Sequence, residues 1–186
     1  MLRPKHEIYV LQADNEFFFD EKTETLYYYS SKGPPTGTVE ATQLKTFINV
    51  VGTQAAPVRD VRLLGLSFRD SALSYLDAHS MPSGGDWGLG RVAAVFIKGA
   101  VDTVMDGCTF EKLDGNAIMI NGFATGTTIQ NCNFHEIGDN IIAQLGETEG
   151  AGPDAAGMGP DGTKGNQPSG TVIKTNFAYR CGLFEK

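Results

Sequence analysis

The sequence predicts an all-β solenoid of about four stacked coils, and three observations carry that prediction. Met105–Gly122 and Ile129–Gly146 align without a gap over 18 positions at a spacing of 24 residues, with Cys, Phe, Asn, Ile and Gly recurring identically. Self-similarity at a fixed period marks a stacked architecture, and a period in the low twenties suits one coil of strands. Cys108-Thr-Phe110 and Cys132-Asn-Phe134 alternate apolar and polar with period two, and no stretch of the repeat region sustains apolar spacing at three and four. Leu63–Phe68 and Val172–Phe177 fit the same frame, so Phe68, Phe110, Phe134 and Phe177 recur at separations of 42, 24 and 43. The long gaps are one coil plus an insertion of 18 or 19 residues.

Residues 1–43 precede the repeats, and there Asn15–Asp20 and Thr25–Tyr29 are aromatic runs flanking a polar turn of Glu, Lys and Thr. Residues 44–186 are assigned to the solenoid. Its first repeat, Leu63–Phe68, leads into an insertion from about Ser71 to Arg91, and Ala94–Lys98 reads as the strand that follows. Ala117–Ile120 and Ile141–Ala143 are short apolar runs closed by glycine, which suits strands covered on at least one side. Parallel stacking sets like residues over like about 4.8 Å apart. Cys108 is therefore expected under Cys132, Phe110 under Phe134, and Asn116 under Asn140. The asparagines fall at a turn, where an amide can bond backbone and its own copy above. A second insertion runs from Glu147 to Ser169. The chain stops at Cys181–Lys186, where a further strand is expected, so the solenoid is expected to be truncated at its C-terminal end.

These repeats resemble the right-handed parallel β-helix of the pectate-lyase-like superfamily, from about Phe47 to the C-terminus. The resemblance implies the right-handed winding; it is specific for fold and weak for function, since the superfamily spans lyases, hydrolases, esterases, epimerases, tailspikes and adhesins. The front segment resembles the hairpin ahead of the β-helix in microbial and algal carbohydrate-active proteins, roughly Glu-Trp-Tyr-x-Asp, a turn, then Leu-Tyr-Tyr. Here phenylalanines stand where Trp-Tyr is frequent, and Glu24 stands where glycine is common. The aromatic stripe is expected to cap the open end of the β-helix, with sugar stacking as the alternative. This second resemblance points toward β-helical glycoside hydrolases and implies an extracellular or secretory location, although Met1–His6 lacks the apolar core of a signal peptide.

A net charge of −7 and a pI of about 4.9 disfavour nucleic acid, whose phosphates need a basic surface. The same charge weighs against a polyuronate unless calcium or local Arg and Lys offset the repulsion; Arg91, Lys98 and Lys112 are the candidates for such a patch. No run reaches the roughly 20 apolar residues of a membrane span. Cys108 and Cys132 read as a buried, reduced thiol ladder, and Cys181 as a turn residue. His6, His79 and His135 are not spaced as zinc ligands. No metal site or cofactor is expected. Asp154 and Asp161 among the glycines of the second insertion leave calcium open, against the reading of a solvated loop.

The insertions border one column of strands, 94–98, 117–121 and 141–145, and loops thrown from both sides of a column wall a groove. Its floor is expected from Phe96, Lys98, Met119, Asn121, Ala143 and Leu145, with Gln144 and Glu147 at its edge; Gln144 leaves the phase open. Trp87 and Asp86 sit in Ser83–Gly90, where the ring can stack on a sugar or plug its own loop. Glycosidic cleavage wants two carboxyls about 5–9.5 Å apart. Asp114 and Asp139 lie one coil apart and one position out of register before the floor strands, and are the candidate catalytic pair. Their competing reading is ordinary Asp-Gly and Gly-Asp turn structure. Glu111, His135 and Glu136 form an adjoining polar face; Asp77, Asp86 and Glu147 are loop alternatives. The paired aspartates and Gly-His-Gly of polygalacturonases are absent, as is a lyase-type arginine motif. The leading expectation is a monomeric glycoside hydrolase acting on a cell-wall or algal polysaccharide. A non-catalytic glycan-binding or adhesion β-helix is second, and a calcium-dependent lyase third.

Overall fold

The computed structural model describes residues 3–4, 11–20, 22–75, 77, 79, 90–147 and 164–183. The chain divides into two compact units, Met1–Ala41 and Thr42–Lys186. In the first, β1 (Arg3–Pro4) runs parallel to β2 (Glu16–Asp20), which pairs antiparallel with β3 (Thr25–Tyr28). The hairpin is held by side chains as well as by its ladder. Phe18 stacks on Tyr27 at 6.2 Å, and the buried Glu16 carboxylate accepts from the amides of Gln12 and Ala13 at 2.8 and 3.0 Å.

The second unit is built of strands, with no helix among the described residues. In chain order they are β4 (Ile48–Val51), β5 (Val58–Arg59), β6 (Arg62–Leu64), β7 (Ser67–Arg69), β8 (Ala93–Val101), β9 (Val104–Asp106), β10 (Thr109–Leu113), β11 (Asn116–Thr125), β12 (Thr128–Gln130), β13 (Asn133–Ile137), β14 (Ile142–Leu145), β15 (Pro168–Ser169), β16 (Val172–Lys174) and β17 (Phe177–Cys181). Sheet neighbours are always one repeat apart and parallel. One sheet runs β4, β8, β11, β14, with β5 and β15 continuing it; a second runs β6, β9, β12, β16; a third runs β7, β10, β13, β17. Parallel strands that return to the same place after every repeat fit a β-helix.

Stacking like on like builds the core. Phe47, Phe68, Phe110 and Phe134 form a ring ladder with centroids 6.3, 4.9 and 4.9 Å apart, close to the spacing of neighbouring strands. Val95, Ile97, Ile118, Ile120, Met105 and Ile129 are fully covered beside it. Cys108 and Cys132 are buried free thiols, and burial pushes the Cys132 thiol above its ordinary value. Asn116 and Asn140 stack as expected: Asn140 Nδ2 donates to Asn116 Oδ1 at 3.0 Å, and Asn116 Nδ2 donates to the carbonyls of Gly90 and Val92.

The bends between strands also stack. Asp60, Asp102, Gly126 and Gly170 occupy one column with φ of 57, 57, 71 and 62°. Gly65, Gly107, Asn131 and Thr175 occupy a second, with φ of 62, 65, 55 and 54°. Asp70, Lys112, Glu136 and Arg180 form a third, with φ of 56, 52, 55 and 52°. Left-handed backbone disfavours most side chains by about 1–2 kcal/mol, so its recurrence at non-glycine residues shows that stacking of the flanking strands fixes these corners.

The last repeat departs from the expected frame. Ala178, not Phe177, pairs with Phe134, while Phe177 pairs with Asn133 and points away from the core. The offset to this repeat is 44 residues, as Ile129 to Ile173 also shows. The cause is Asn176, which takes the position of Cys132. Its Oδ1 accepts from the Cys132 amide at 2.8 Å, and its Nδ2 donates to the Ile129 carbonyl at 2.9 Å. Cys181 consequently pairs with Ile137 and packs on the core instead of standing in a turn.

Candidate functional site

The outer face of β4, β8, β11 and β14 carries two columns of side chains. One is Asn49, Phe96, Met119 and Ala143; the other is Val51, Lys98, Asn121 and Leu145. The intervening residues Val50, Ile97 and Ile120 are buried in the core, which settles the phase left open in the sequence. Gln144 continues their column by pairing with Ile120, but on the end strand of the sheet its side chain is exposed, and it stands apart from the two outer columns. Met119 is on the outer face but fully covered by Ala93, Ala143, Phe96 and Leu145, so its expected contact with substrate is replaced by packing.

The second outer column ends in a polar cluster. Lys98 Nζ donates to Glu147 Oε1 at 2.7 Å, Asn121 Nδ2 donates to the same oxygen, and Arg91 Nη1 donates to Asn121 Oδ1. Burial pulls the Arg91 guanidinium below its ordinary value, and the Glu147 charge works against that. Glu147 is placed by its backbone: its amide donates to the Asn166 carbonyl at 3.0 Å, and Asn166 Nδ2 returns to the Glu147 carbonyl at 3.3 Å. Asn166 Oδ1 accepts from the Phe123 amide at 2.9 Å, tying this stem to β11. A Cβ on Gly122 would lie 3.0 Å from that oxygen and 3.3 Å from Glu147 Oε2, so the bare backbone lets the stem close in.

Opposite the stem, Gln54 Nε2 donates to the Lys164 carbonyl at 2.8 Å. Between them lies a cleft of about 320 Å³ lined by Gly52, Thr53, Gln54, Lys98, Glu147, Lys164 and Asn166. Glu147 is the one carboxylate lining it among the described residues. Such an arrangement offers a cation, a carboxylate and amides to the hydroxyls of a polar ligand. Of the proposed basic patch, Arg91 and Lys98 belong to this cluster, whereas Lys112 stands on a corner of the third sheet.

The candidate acids lie elsewhere. Asp114 Oδ2 accepts from the amides of Ser74 and Tyr75 at 2.8 and 2.9 Å, and the Asp114 amide donates to Ser71 Oγ at 2.9 Å. This carboxylate therefore pins the start of the first insertion. Asp139 is only 3% exposed and accepts from Asn140 Nδ2 at 2.6 Å. Its backbone neighbours that of Gly115 (amide to carbonyl, 3.4 Å), yet the two carboxyls engage different partners. Asp139 Oδ2 and His79 Nε2 each lie 3.3 Å from where a Gly90 Cβ would be, so carboxyl and imidazole approach one another across a bare glycine. His79 Nδ1 bonds the Asp77 carbonyl at 2.7 Å, and the Asp77 carboxylate pairs with Lys45 at 2.7 Å. Trp87, Asp86, Asp154 and Asp161 lie outside the described residues. Among the described residues no group of three or more His, Cys, Asp or Glu is placed to hold a metal ion.

Gln54, Asn166 and the approach of His79 to Asp139 were not anticipated; each depends on loops that meet across the sheet. No protein-family model matches the chain, and no curated protein matches it. A solved structure titled "Glycoside hydrolase" is similar, with a TM-score of 0.69 at 19% identity over 94% of this chain and 34% of that one. The chain thus spans about a third of that structure's length, and the likeness is one of fold.

Proposed function

We propose that this chain is a carbohydrate-active, right-handed β-helix protein of about four coils that binds a glycan in the cleft beside Glu147, and that the whole protein hydrolyses glycosidic bonds. The observation that carries the reading is the convergence of Lys98, Asn121 and Glu147 on one outer strand column, at the mouth of a cleft. The likeness in fold to a structure titled glycoside hydrolase supports a carbohydrate-active role. In this reading the amides and ion pair of the cleft bind sugar hydroxyls, and Trp87 and Asp86 extend the binding surface from the first insertion. Asp139, which precedes β14 while Glu147 follows it, is the acid–base carboxyl of this reading, and a glycan lying along β14 would bring its bond to that group, since general acid–base work needs a positioned group within reach of the reacting oxygen. Asp114, proposed from sequence as its partner, serves by holding the loop that brings His79 toward Asp139. The reading carries with it an extracellular, monomeric protein that works without a metal. A second reading, a glycan-binding scaffold without catalysis, is favoured by the single carboxylate in the cleft, since hydrolysis uses two.

The test is digestion of a glycan panel by the whole protein, scored for new reducing ends and for absorbance from unsaturated uronates. Reducing ends that fall by about 100-fold or more in Asp139→Asn, with a raised KM in Lys98→Ala, are expected. Binding without cleavage of any glycan would select the scaffold. Unsaturated products would select a lyase, and cleavage indifferent to Lys98 and Glu147 would remove the cleft from the site.

A further inference from the structure

The third sheet has an outer face that the cleft does not use. Ala178 and Phe134 point inward, so their neighbours point out in two parallel columns: Thr109, Asn133 and Phe177, and Glu111, His135 and Tyr179. The imidazole of His135 stacks on the Tyr179 ring at 5.3 Å and 15°. Phe177 stands beside Tyr179 at 5.7 Å and 44°. Both upper rings remain open, at 61% for Phe177 and 48% for Tyr179. Below them Glu111 Oε2 lies 3.3 Å from His135 Nε2, and its Oε1 lies 3.9 Å from Arg69 Nε.

We propose that this face is a second carbohydrate-binding surface, on which an uncharged glycan stacks on Phe177 and Tyr179 and bonds its hydroxyls to the row of Glu111, His135 and Asn133. Two features select that ligand class. The face is mixed in a regular way, flat rings in one stretch and planar polar groups in the next, and a sugar presents an apolar ring face with a hydroxylated rim. It is also balanced in charge: Arg69, Lys112 and Arg180 stand against Asp70, Glu111 and Glu136 along these strands. An anionic polymer gains no net attraction there, and nucleic acid still less. A protein partner is the poorer fit. Two rings of about 150–250 Å² each fall short of the roughly 800 Å² per partner that a stable interface buries. The surface is argued independently of the cleft, so it stands or falls apart from the proposed hydrolysis.

The experiment is affinity electrophoresis of the whole protein in gels containing hydroxyethylcellulose, arabinoxylan, laminarin or galactomannan. Wild type runs beside Phe177→Ala, Tyr179→Ala and the cleft variant Lys98→Ala, each checked for an unchanged urea midpoint. Retardation by at least one gel is expected, weakened about five- to tenfold in Phe177→Ala and Tyr179→Ala; Lys98→Ala loses only the cleft's share and keeps the retardation that the two rings supply. No retardation in any gel, retardation indifferent to both rings, or retardation lost in Lys98→Ala alone would overturn the proposal. Sedimentation runs alongside: a dimer abolished by Phe177→Ala would assign the face to protein contact and overturn it equally.

Discussion

Replacing Asp114 separates a carboxylate that does chemistry from one that holds a loop. Both amides it accepts, those of Ser74 and Tyr75, meet the same oxygen, Oδ2, at 2.8 and 2.9 Å. An asparagine that sets its carbonyl oxygen there keeps both bonds and loses only the assistance of the charge. Bonds to charged groups contribute about 1.5–3 kcal/mol and neutral ones about half that. Asp114→Asn is therefore expected to cost about 1.5–3 kcal/mol over the two bonds. Asp114→Ala removes both bonds and is expected to cost about 3–6 kcal/mol. With a urea slope of about 2 kcal/mol/M, the midpoints fall by about 0.75–1.5 M and 1.5–3 M. Glycan cleavage, measured in the absence of denaturant, should follow the same order, with Asp114→Asn keeping most of the rate. A catalytic carboxylate behaves otherwise, because the amide cannot transfer a proton however well it sits. Cleavage abolished in Asp114→Asn at a near-native midpoint would refute the loop-holding role and restore Asp114 to the catalytic pair.

Two further outcomes test the core. Phe110→Ala removes a fully buried ring stacked on both sides at 4.9 Å and should cost about 3–5 kcal/mol, read as a fall in urea midpoint. Phe47→Ala, half-buried with one ring neighbour at 6.3 Å, should cost less, and the reverse order would contradict the ladder. Burial raises the Cys132 thiol above the ordinary 9.0, so the folded chain holds the proton to higher pH than the unfolded chain. The stabilisation this confers is complete below the range in which the unfolded thiol ionises and is lost as pH rises from there through the raised value of the folded thiol. Alkylation of native Cys132 should begin at a higher pH than in urea; coincident labelling curves would show the thiol to be open.

The repeat was legible because like residues stack on like, and stacking leaves its spacing in the sequence. The phenylalanine ladder, the asparagine pair and the outer position of Lys98 and Asn121 all follow from that rule. It failed where identity and register part. Phe177 matched Phe134 by residue type, yet Asn176 takes the Cys132 position by bonding the same backbone, which moves Ala178 inward. Gln144 continues the column of Ile120 yet stays exposed on the end strand of that sheet, so its polar type left the phase open. The candidate site was legible only in its strand-borne half. Gln54 reaches Lys164 across 110 positions, and no periodicity records a contact between two loops. The same holds for His79 and Asp139, which approach one another across Gly90.

Each repeat divides its labour between inward columns, corners and outward columns. Inward columns supply the apolar burial, and the three left-handed corner columns supply the bends. The corners constrain backbone more than side chain, since Asp70, Lys112, Glu136 and Arg180 share one conformation with four different side-chain lengths or charges. Apart from Phe96, Met119 and Ala143, which pack into a small apolar cluster of their own, the outward columns are left with little structural duty beyond strand propensity. A half-exposed ion pair such as Lys98 with Glu147 contributes about 0–1 kcal/mol to stability, and an exposed Tyr179 or Phe177 has little burial to lose. Like inward columns with differing outer faces are how one stacked scaffold presents several surfaces. The same reasoning makes outer-face variants the sharpest probes of the proposed surfaces, because a loss of binding in Lys98→Ala or Tyr179→Ala will not be confounded by a lost fold.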